Sequence, residues 1–209
     1  MSKPGSAPSL TQAERTALSD RAMIDAACTL LLEKGASGTT LAAIGERAGY
    51  SRGLATYRFG SKAGLFAAIG KAVSKRWLEV LNVEVGVKTG VDAMCAAIDA
   101  YARFVKASPD DARIQQVLFS EASSPTSESK ELAVDTYRHQ VRDVMAWLEQ
   151  GIADGDVRAD IDAHAEAVQF IAFLCGVTHL WLLVPDFVDF DAMRESAKQR
   201  LRRHLSSTQ

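Results

Sequence analysis

The amino-acid sequence predicts an all-α fold. Apolar residues recur at intervals of three and four residues along the chain, which is the period of a helix with one buried face. No segment alternates apolar and polar residues as a half-buried strand does, and no internal repeat is visible. With 209 residues and 47% hydrophobic composition, the chain can bury the core of one large domain or two modest ones.

The first predicted helix follows a segment of simple composition. Residues 1–18 are rich in Ser, Pro and Ala and predict a flexible N-terminal segment. From Arg21 to Lys34 the apolar residues fall on one stripe, which predicts a helix. Gly35 is expected to end it.

The stretch from Thr39 to Lys62 predicts a helix-turn-helix. Thr40 can cap a short helix, and Gly49 ends that helix because glycine takes a left-handed conformation without steric penalty. Ser51 can cap a second short helix, from Arg52 to about Arg58. Such a pair is typical of DNA-binding proteins, although helical subdomains that never touch DNA contain similar pairs.

The second short helix has the outward chemistry of a recognition helix. Arg52 lies in its first turn, the part that contacts base edges in a major groove, and Gly53 lets the backbone approach DNA closely. Lys62 begins the next helix, where a phosphate can accept from free N–H groups and the ammonium. The candidate DNA-binding residues are Thr40, Ser51, Arg52, Gly53, Thr56, Tyr57, Arg58 and Lys62.

Charge is distributed unevenly along the chain. Residues 1–80 carry 11 Lys and Arg against 6 Asp and Glu, a net of +5. The remaining residues carry 13 basic and 20 acidic side chains, a net of −7. A basic first part on an acidic remainder suits a polyanion bound at one end only, here double-stranded DNA.

The helix-turn-helix stretch resembles the N-terminal domain of the tetracycline-repressor (TetR) family of bacterial transcription regulators. The residues in register with the family pattern are Thr39, Thr40, Ile44, Ala48, Gly49, Ser51, Gly53, Phe59, Ser61 and Lys62. The departures are Gly45 for the usual Ala, Tyr50 for the usual Val, and Ala55-Thr56 for the commoner Leu-Tyr. Because Tyr57 lies one place after the usual tyrosine, either Tyr57 or Thr56 can hold that residue's phosphate contact.

A long helix is predicted to join two domains. It runs from Lys62 to about Leu81, roughly 30 Å at 1.5 Å per residue, and the loop Asn82–Gly90 follows it. The predicted fold is therefore an N-terminal three-helix DNA-binding domain joined to a C-terminal helical ligand-binding and dimerisation domain. The first domain, with the connecting helix, comprises residues 19–81, and the second comprises residues 82–209.

Five further helices are predicted, with Pro- or Gly-containing breaks between most of them. They are Val91–Lys106, Asp110–Ala122, Glu131–Ile152, about Asp162 to Val184, and Asp189–Leu205. The fourth is nearly all apolar, but Gln169, Thr178 and His179 interrupt a run that falls short of the about 20 apolar residues of a membrane span. We therefore expect a helix buried on all sides by protein and no membrane partner.

A helix that is apolar all round needs packing partners on every side. We expect residues 162–205 to form half of a two-fold homodimer interface, where the family resemblance also places one; the alternative is a helix wholly enclosed by its own chain. The candidate interface residues are Phe170, Leu174, Val177, Trp181, Met193 and Leu201.

The TetR resemblance further implies a repressor of a near-palindromic operator, released when a small-molecule effector of unknown identity enters the C-terminal domain. Aromatic residues with a polar tip suit an amphipathic ligand, although ordinary core packing is the alternative for each one. The candidate ligand-binding residues are Tyr101, Phe104, Phe119, Tyr137, Trp147, His179 and Trp181.

Catalytic and metal-binding motifs are missing from the sequence. There is no Gly-rich phosphate loop, no paired metal-ligand spacing and no G-x-S-x-G motif, so we expect no enzyme, no cofactor and no metal site. Cys28, Cys95 and Cys175 are scattered, which is typical of buried thiols in a reducing compartment, and no signal peptide is recognisable. A cytoplasmic protein is expected. The rival hypothesis is a helical ligand- or protein-binding module without specific DNA affinity.

Overall fold

The computed structural model describes residues 11–207, and the predicted all-α class is confirmed. Within this range an isolated bridge between Val157 and Ser206 is the sole extended pairing. The helices are α1 (Gln12–Gly38), α2 (Leu41–Ala48), α3 (Arg52–Phe59), α4 (Lys62–Val85), α5 (Gly90–Ala107), α6 (Pro109–Ala122), α7 (Lys130–Ala153), α8 (Ala163–Leu183) and α9 (Phe190–Leu205).

The chain divides into two compact units, Met1–Ile69 and Gly70–Gln209. The division falls inside α4, earlier than the predicted boundary after residue 81. Assignment of residues 70–81 to the DNA-binding domain therefore stays a prediction.

Helix α1 begins much earlier than the sequence predicted. Thr11 and Glu14 form a capping box: the Thr11 hydroxyl oxygen accepts from the Glu14 N–H at 3.2 Å, and the Thr11 N–H donates to the Glu14 carboxylate at 2.7 Å. Residues 12–18, predicted to be flexible, are therefore helical, whereas the rest of the predicted flexible segment, residues 1–10, lies outside the described residues. Gly35 interrupts the helix with φ 66°, at the predicted end.

The first unit is built on the apolar face of α1. Met23, Ala27 and Leu31 are almost completely buried, and α1 packs against α2. At the surface, Arg47 of α2 donates two hydrogen bonds to the Glu33 carboxylate of α1, at 2.7 and 3.1 Å. The guanidinium holds the pKa of Glu33 below its usual value. Helix α2 in turn packs against α3, so α1 supports the pair.

The second unit is organised around α5. This helix contacts α6, α7, α8 and α9, and most of its side chains are buried, as the apolar pattern predicted. Fully buried examples are Ala93, Met94, Ala100 and Val105. Burying such side chains contributes about 1.5–3 kcal/mol for each large one, so α5 forms the core of this unit.

Helix α4 is longer than predicted. It ends at Val85, so the loop expected over Asn82–Gly90 is reduced to its second half. Val85 is buried and Glu84 pairs with Arg103 of α5, which explains why the helix continues. The other predicted ends lie within one or two residues of those observed, apart from α1, which starts earlier than predicted and continues to Gly38 beyond the interruption at Gly35.

Helix α8 is not buried on all sides by its own chain, so the alternative of a helix wholly enclosed by its own chain is wrong. It is long and apolar enough to cross a membrane by length and composition, a test that core helices of soluble proteins also pass, and 28% of its most apolar stretch is buried. Its exposed side carries a row of apolar residues at intervals of four and three, called here the α8 stripe. The α8 stripe consists of Val168, Ala172, Gly176, Leu180 and Leu183.

Candidate nucleic-acid interface and ligand cavity

The turn between α2 and α3 is formed by caps on both sides. Gly49 adopts the left-handed conformation (φ 76°, ψ 25°) that ends α2. The Thr40 hydroxyl oxygen accepts from the Ala43 N–H at 3.2 Å, and the Ser51 hydroxyl oxygen accepts from the Leu54 N–H at 3.1 Å. Because capping uses the oxygens as acceptors, both exposed hydroxyls can still donate to a phosphate.

Gly45 allows this turn to approach α2 closely. A Cβ at this position would lie 3.0 Å from the backbone carbon and oxygen of Ser51 and from the oxygen of Tyr50. Such distances are tighter than ordinary van der Waals contact, so an alanine would require a small shift of the turn. Gly45 thus sets how closely the N-terminus of α3 approaches α2.

Helix α3 buries one side and exposes the other. Ala55 is fully buried, whereas Arg52, Gly53 and Thr56 are exposed and Tyr57 is 81% exposed. The Arg52 side chain forms no ion pair or hydrogen bond with any residue in 11–207. The first turn of α3 is therefore presented to solvent as the sequence predicted.

Arg58 departs from the predicted arrangement. Its Nε lies 3.1 Å from a carboxylate oxygen of Asp20 in α1, and its side chain is about one-quarter exposed. The guanidinium also lies 5.7 Å from the centre of the Tyr57 ring. Arg58 was predicted as a DNA contact, but its guanidinium is paired with Asp20 of α1 in its own chain.

Lys62 begins α4, as predicted. Ser61 accepts from the Gly64 N–H at 3.1 Å, which caps the helix. Lys62 is half-buried, and its ammonium lies 5.2 Å from the centre of the Phe66 ring. The ammonium therefore lies near a helix N-terminus, where both groups favour an anion.

The second unit contains a cavity of about 480 Å³ lined by α4, α5, α6, α7 and α8. This volume is typical of sites for drug-sized molecules. Three of the predicted ligand residues, Tyr101, Phe119 and Trp147, line it. Trp77 of α4 also lines it, and its ring lies 5.3 Å from that of Tyr101.

The other four predicted ligand residues do not line this cavity. Phe104 is buried behind Trp77, with ring centres 5.7 Å apart, and Trp181 packs on Phe190 at 5.5 Å. Tyr137 packs on Phe119 at 4.9 Å and so supports the wall from outside, while His179 is exposed to solvent. Core packing therefore accounts for Phe104 and Trp181.

Burial raises the pKa values of the polar aromatic groups at the cavity further above neutral pH. It raises the pKa of Tyr101 to about 12, and it also raises the pKa of the neighbouring Tyr137. The pKa of the Cys175 thiol, which lines the cavity 3.9 Å from the Tyr137 hydroxyl, is raised for the same reason. These groups offer hydrogen bonds without charge at neutral pH.

Most of the predicted dimer residues face their own chain. Phe170, Leu174 and Val177 are buried, and the first two line the cavity. Trp181 packs internally, Leu201 is half-buried, and Met193 is 37% exposed. Because α8 is apolar on every side, its sequence does not indicate which side its own chain covers. The side that its own chain leaves exposed carries the α8 stripe.

Sequence reasoning missed the polar wall of the cavity. Asp135, His139 and Asp143 of α7 line it together with Gln115 and Gln140. Polar residues at intervals of four on one helix usually predict a face in solvent, so the sequence contained no signal that these three line a cavity.

Comparison with known proteins agrees with this geometry. Residues 23–69 match the family model of bacterial regulatory proteins, tetR family. No curated protein matches the sequence significantly.

Three solved structures illustrate the similarity in fold. A TetR transcriptional regulator from Chloroflexus aurantiacus J-10-FL superposes with a TM-score of 0.78 at 18% identity, over 93% of this chain and 99% of that one. SmeT, the repressor of the Stenotrophomonas maltophilia multidrug efflux pump SmeDEF, gives 0.71 at 23% identity over 90% of each chain. The SmeT–triclosan complex gives 0.77 at 21% identity, over 90% of this chain and 92% of that one. Residues 23–69, which contain the helix-turn-helix, therefore match the DNA-binding domain of the TetR family of bacterial regulatory proteins, and the chain as a whole has the all-helical fold of TetR-family regulators.

Proposed function

We propose that this protein is a cytoplasmic repressor, without catalytic activity, that binds a near-palindromic operator as a homodimer and leaves it when a small molecule occupies the cavity. The observation that carries the DNA-binding part is the exposed first turn of α3, where Arg52 and Gly53 follow the Ser51 cap. A recognition helix contacts base edges with this part of its surface. Among the remaining candidates, Thr40, Thr56 and Tyr57 are exposed and Lys62 is half-buried. The proposal assigns these four residues to contacts with the DNA backbone.

The α8 stripe supports the homodimer. A contiguous exposed apolar patch on a protein surface is typical of a protein–protein interface. The small residues in the middle of the α8 stripe allow a second helix to approach closely. A Cβ added to Gly176 would meet no atom of its own chain within 4 Å. Two copies related by a two-fold axis would place recognition helices about 34 Å apart, one turn of DNA.

Leu183→Glu tests this interface, because it places a charge in the α8 stripe at a side chain that is 67% exposed. Light scattering after size exclusion should show a dimer for the parent chain and a monomer for the variant. Val87→Glu, at a loop residue that is 99% exposed, is the matched control and should stay dimeric. A monomeric parent at micromolar concentration contradicts the dimer.

The cavity supports release by a small molecule. Trp77 and Leu81 of α4 line it, and the same helix begins at Lys62. The neighbouring Arg76 donates to the buried Asp111 of α6 at 2.7 and 2.5 Å, so this part of α4 has a defined position to lose. A ligand can release DNA only by binding the displaced arrangement of α4 better than the operator-bound one. SmeT, a repressor with a solved structure in complex with triclosan, is a structural precedent for the proposal.

Sequencing of genomic fragments bound by the purified protein tests the function as a whole. We expect one enriched near-palindrome, whose affinity falls about 10³- to 10⁵-fold between 50 and 200 mM salt if six to ten phosphates are contacted. No enrichment and a shallow salt dependence would favour the rival hypothesis, a helical module without specific DNA affinity.

A further inference from the structure

The cavity in the second unit has one acidic wall. Asp135, His139 and Asp143 follow one another at intervals of four residues on α7, so successive side chains lie about 6 Å apart along the helix. Both aspartates are exposed enough to stay solvated when the cavity is empty. The wall therefore combines negative charge with access to solvent.

Nothing positive in the described lining balances these carboxylates. Among residues 11–207, no lysine or arginine lines the cavity. Asp135 is paired with Arg138 at 3.2 Å across an exposed surface, an interaction worth little in water. Asp143 forms no ion pair with any residue in 11–207, so its charge is available to a ligand.

His139 adds an acceptor to the same wall. Its Nδ1 lies 2.6 Å from the Asp135 carbonyl oxygen, which can only accept, so Nδ1 is the donor. In a neutral ring this leaves Nε2 as an acceptor. The α7 wall thus presents acceptors to the cavity, while the phenol and thiol groups near it, whose pKa values burial raises, carry no negative charge at neutral pH.

The remaining walls of the cavity are aromatic. Trp77, Tyr101, Phe119 and Trp147 line it, and Trp77 meets Tyr101 nearly edge to face. The face of an aromatic ring attracts a cation, and the attraction is stronger when the ring and the cation are desolvated. Rings and carboxylates therefore favour the same sign of ligand charge.

We propose that the effector is a lipophilic organic cation, whose apolar body packs among the aromatic rings while Asp143, assisted by Asp135, provides the counter-charge. The proposal rests on the proposed function of the cavity as an effector site. A carboxylate or phosphate ligand would meet like charges and no basic partner, and like-charge contacts oppose binding.

Two ions of nearly the same shape and opposite charge test the sign directly. Tetraphenylphosphonium and tetraphenylborate are titrated, in a sodium buffer, into the intact protein while its tryptophan fluorescence, to which Trp77 and Trp147 of the cavity contribute, is followed. A neutral fluorophore, N-phenyl-1-naphthylamine, reports separately whether the cavity takes any apolar ligand. We expect the phosphonium to bind at least tenfold more tightly than the borate and to displace the fluorophore.

Asp143→Asn tests the residue, because it removes the charge and keeps the shape. Because the lost charge lies at a partly exposed rim, where solvent screens it, we expect at least a fivefold loss of affinity for the phosphonium and none for the fluorophore. Glu149→Gln, an exposed α7 carboxylate outside the lining, is the matched control and should leave both affinities unchanged.

The outcomes separate the two proposals. Equal binding of the two ions, or an Asp143→Asn variant with unchanged phosphonium affinity, overturns the cation preference but leaves the cavity as an effector site. Binding of the fluorophore and the borate without the phosphonium does the same. If neither ion nor the fluorophore binds, both the cation proposal and the effector site are wrong.

Discussion

Gly53 is the position at which folding and DNA binding make opposite demands. It lies in the first turn of α3, where its backbone is helical and its surface exposed. A Cβ there would meet only the Ser51 hydroxyl, at 3.7 Å, which is ordinary contact. The free protein therefore offers no steric reason for glycine, and we predict that Gly53→Ala stabilises the protein while weakening its binding to DNA.

Two magnitudes decide the outcome. Alanine is favoured over glycine by up to about 1 kcal/mol in a helix, and somewhat less in the first turn. A methyl group forced into a tight contact costs about 1–3 kcal/mol, which corresponds to about a 5- to 150-fold loss of affinity per half-site. In a two-fold complex this cost applies at both half-sites. The loss of DNA-binding free energy therefore exceeds the gain in folding stability.

Denaturant unfolding measures the first effect, and fluorescence anisotropy on a selected operator fragment measures the second. Gly70→Ala is the matched control: it is a helical glycine of α4 whose added Cβ would lie 3.8 Å from Leu118. It should leave operator affinity unchanged. If Gly53→Ala stabilises the protein and binds the operator as well as the parent, the backbone of α3 does not approach DNA there and the reasoning fails.

Four further measurements address individual residues. Arg52→Ala should lower affinity for the operator by about 1–3 kcal/mol per half-site and affinity for random DNA by less, measured by anisotropy; equal losses would make it a phosphate contact. Lys62→Ala should weaken binding to the operator and to random DNA equally, and should reduce the slope of log affinity against log salt by about one per half-site. An unchanged slope would show that Lys62 does not contact a phosphate. Asp20→Asn and Arg58→Met should each lower the free energy of unfolding, measured in urea, by about 1 kcal/mol. The double variant should lose less stability than the sum of the two single losses, and additive losses would show that the two side chains do not interact. Burial raises the pKa of Tyr101 to about 12 in the folded protein, so stability should fall as the pH rises above the unfolded pKa of about 10. Tyr101→Phe should make this fall less steep. Identical curves of stability against pH for the parent and the variant would contradict a buried phenol.

The helices were largely predictable because their signals are local. Caps such as Ser51 and breaks such as Gly49 act within one turn, and periodic apolar residues report a buried face without any knowledge of the partner. The early start of α1 also had a local signal, the capping box from Thr11 to Glu14, which the Ser- and Pro-rich composition upstream obscured. The extension of α4 to Val85 depends on packing in the folded unit and left no such signal.

The sites were predictable only where one helix determines them. The exposed face of α3 follows from its own sequence, except for Arg58, whose partner Asp20 is distant in the chain. The cavity depends on the rotation of five helices about their axes, which periodicity does not determine. Polar Asp143 therefore lines it, whereas the aromatic Trp181 packs elsewhere.

Protection of guanine N7 from dimethyl sulfate on a selected operator tests the central claim most directly, because that atom lies in the major groove. We expect two protected patches related by a two-fold axis and centred about 34 Å apart, with protection lost in Arg52→Ala. A single patch, or protection that is independent of Arg52, would contradict a pair of α3 helices that bind successive major grooves.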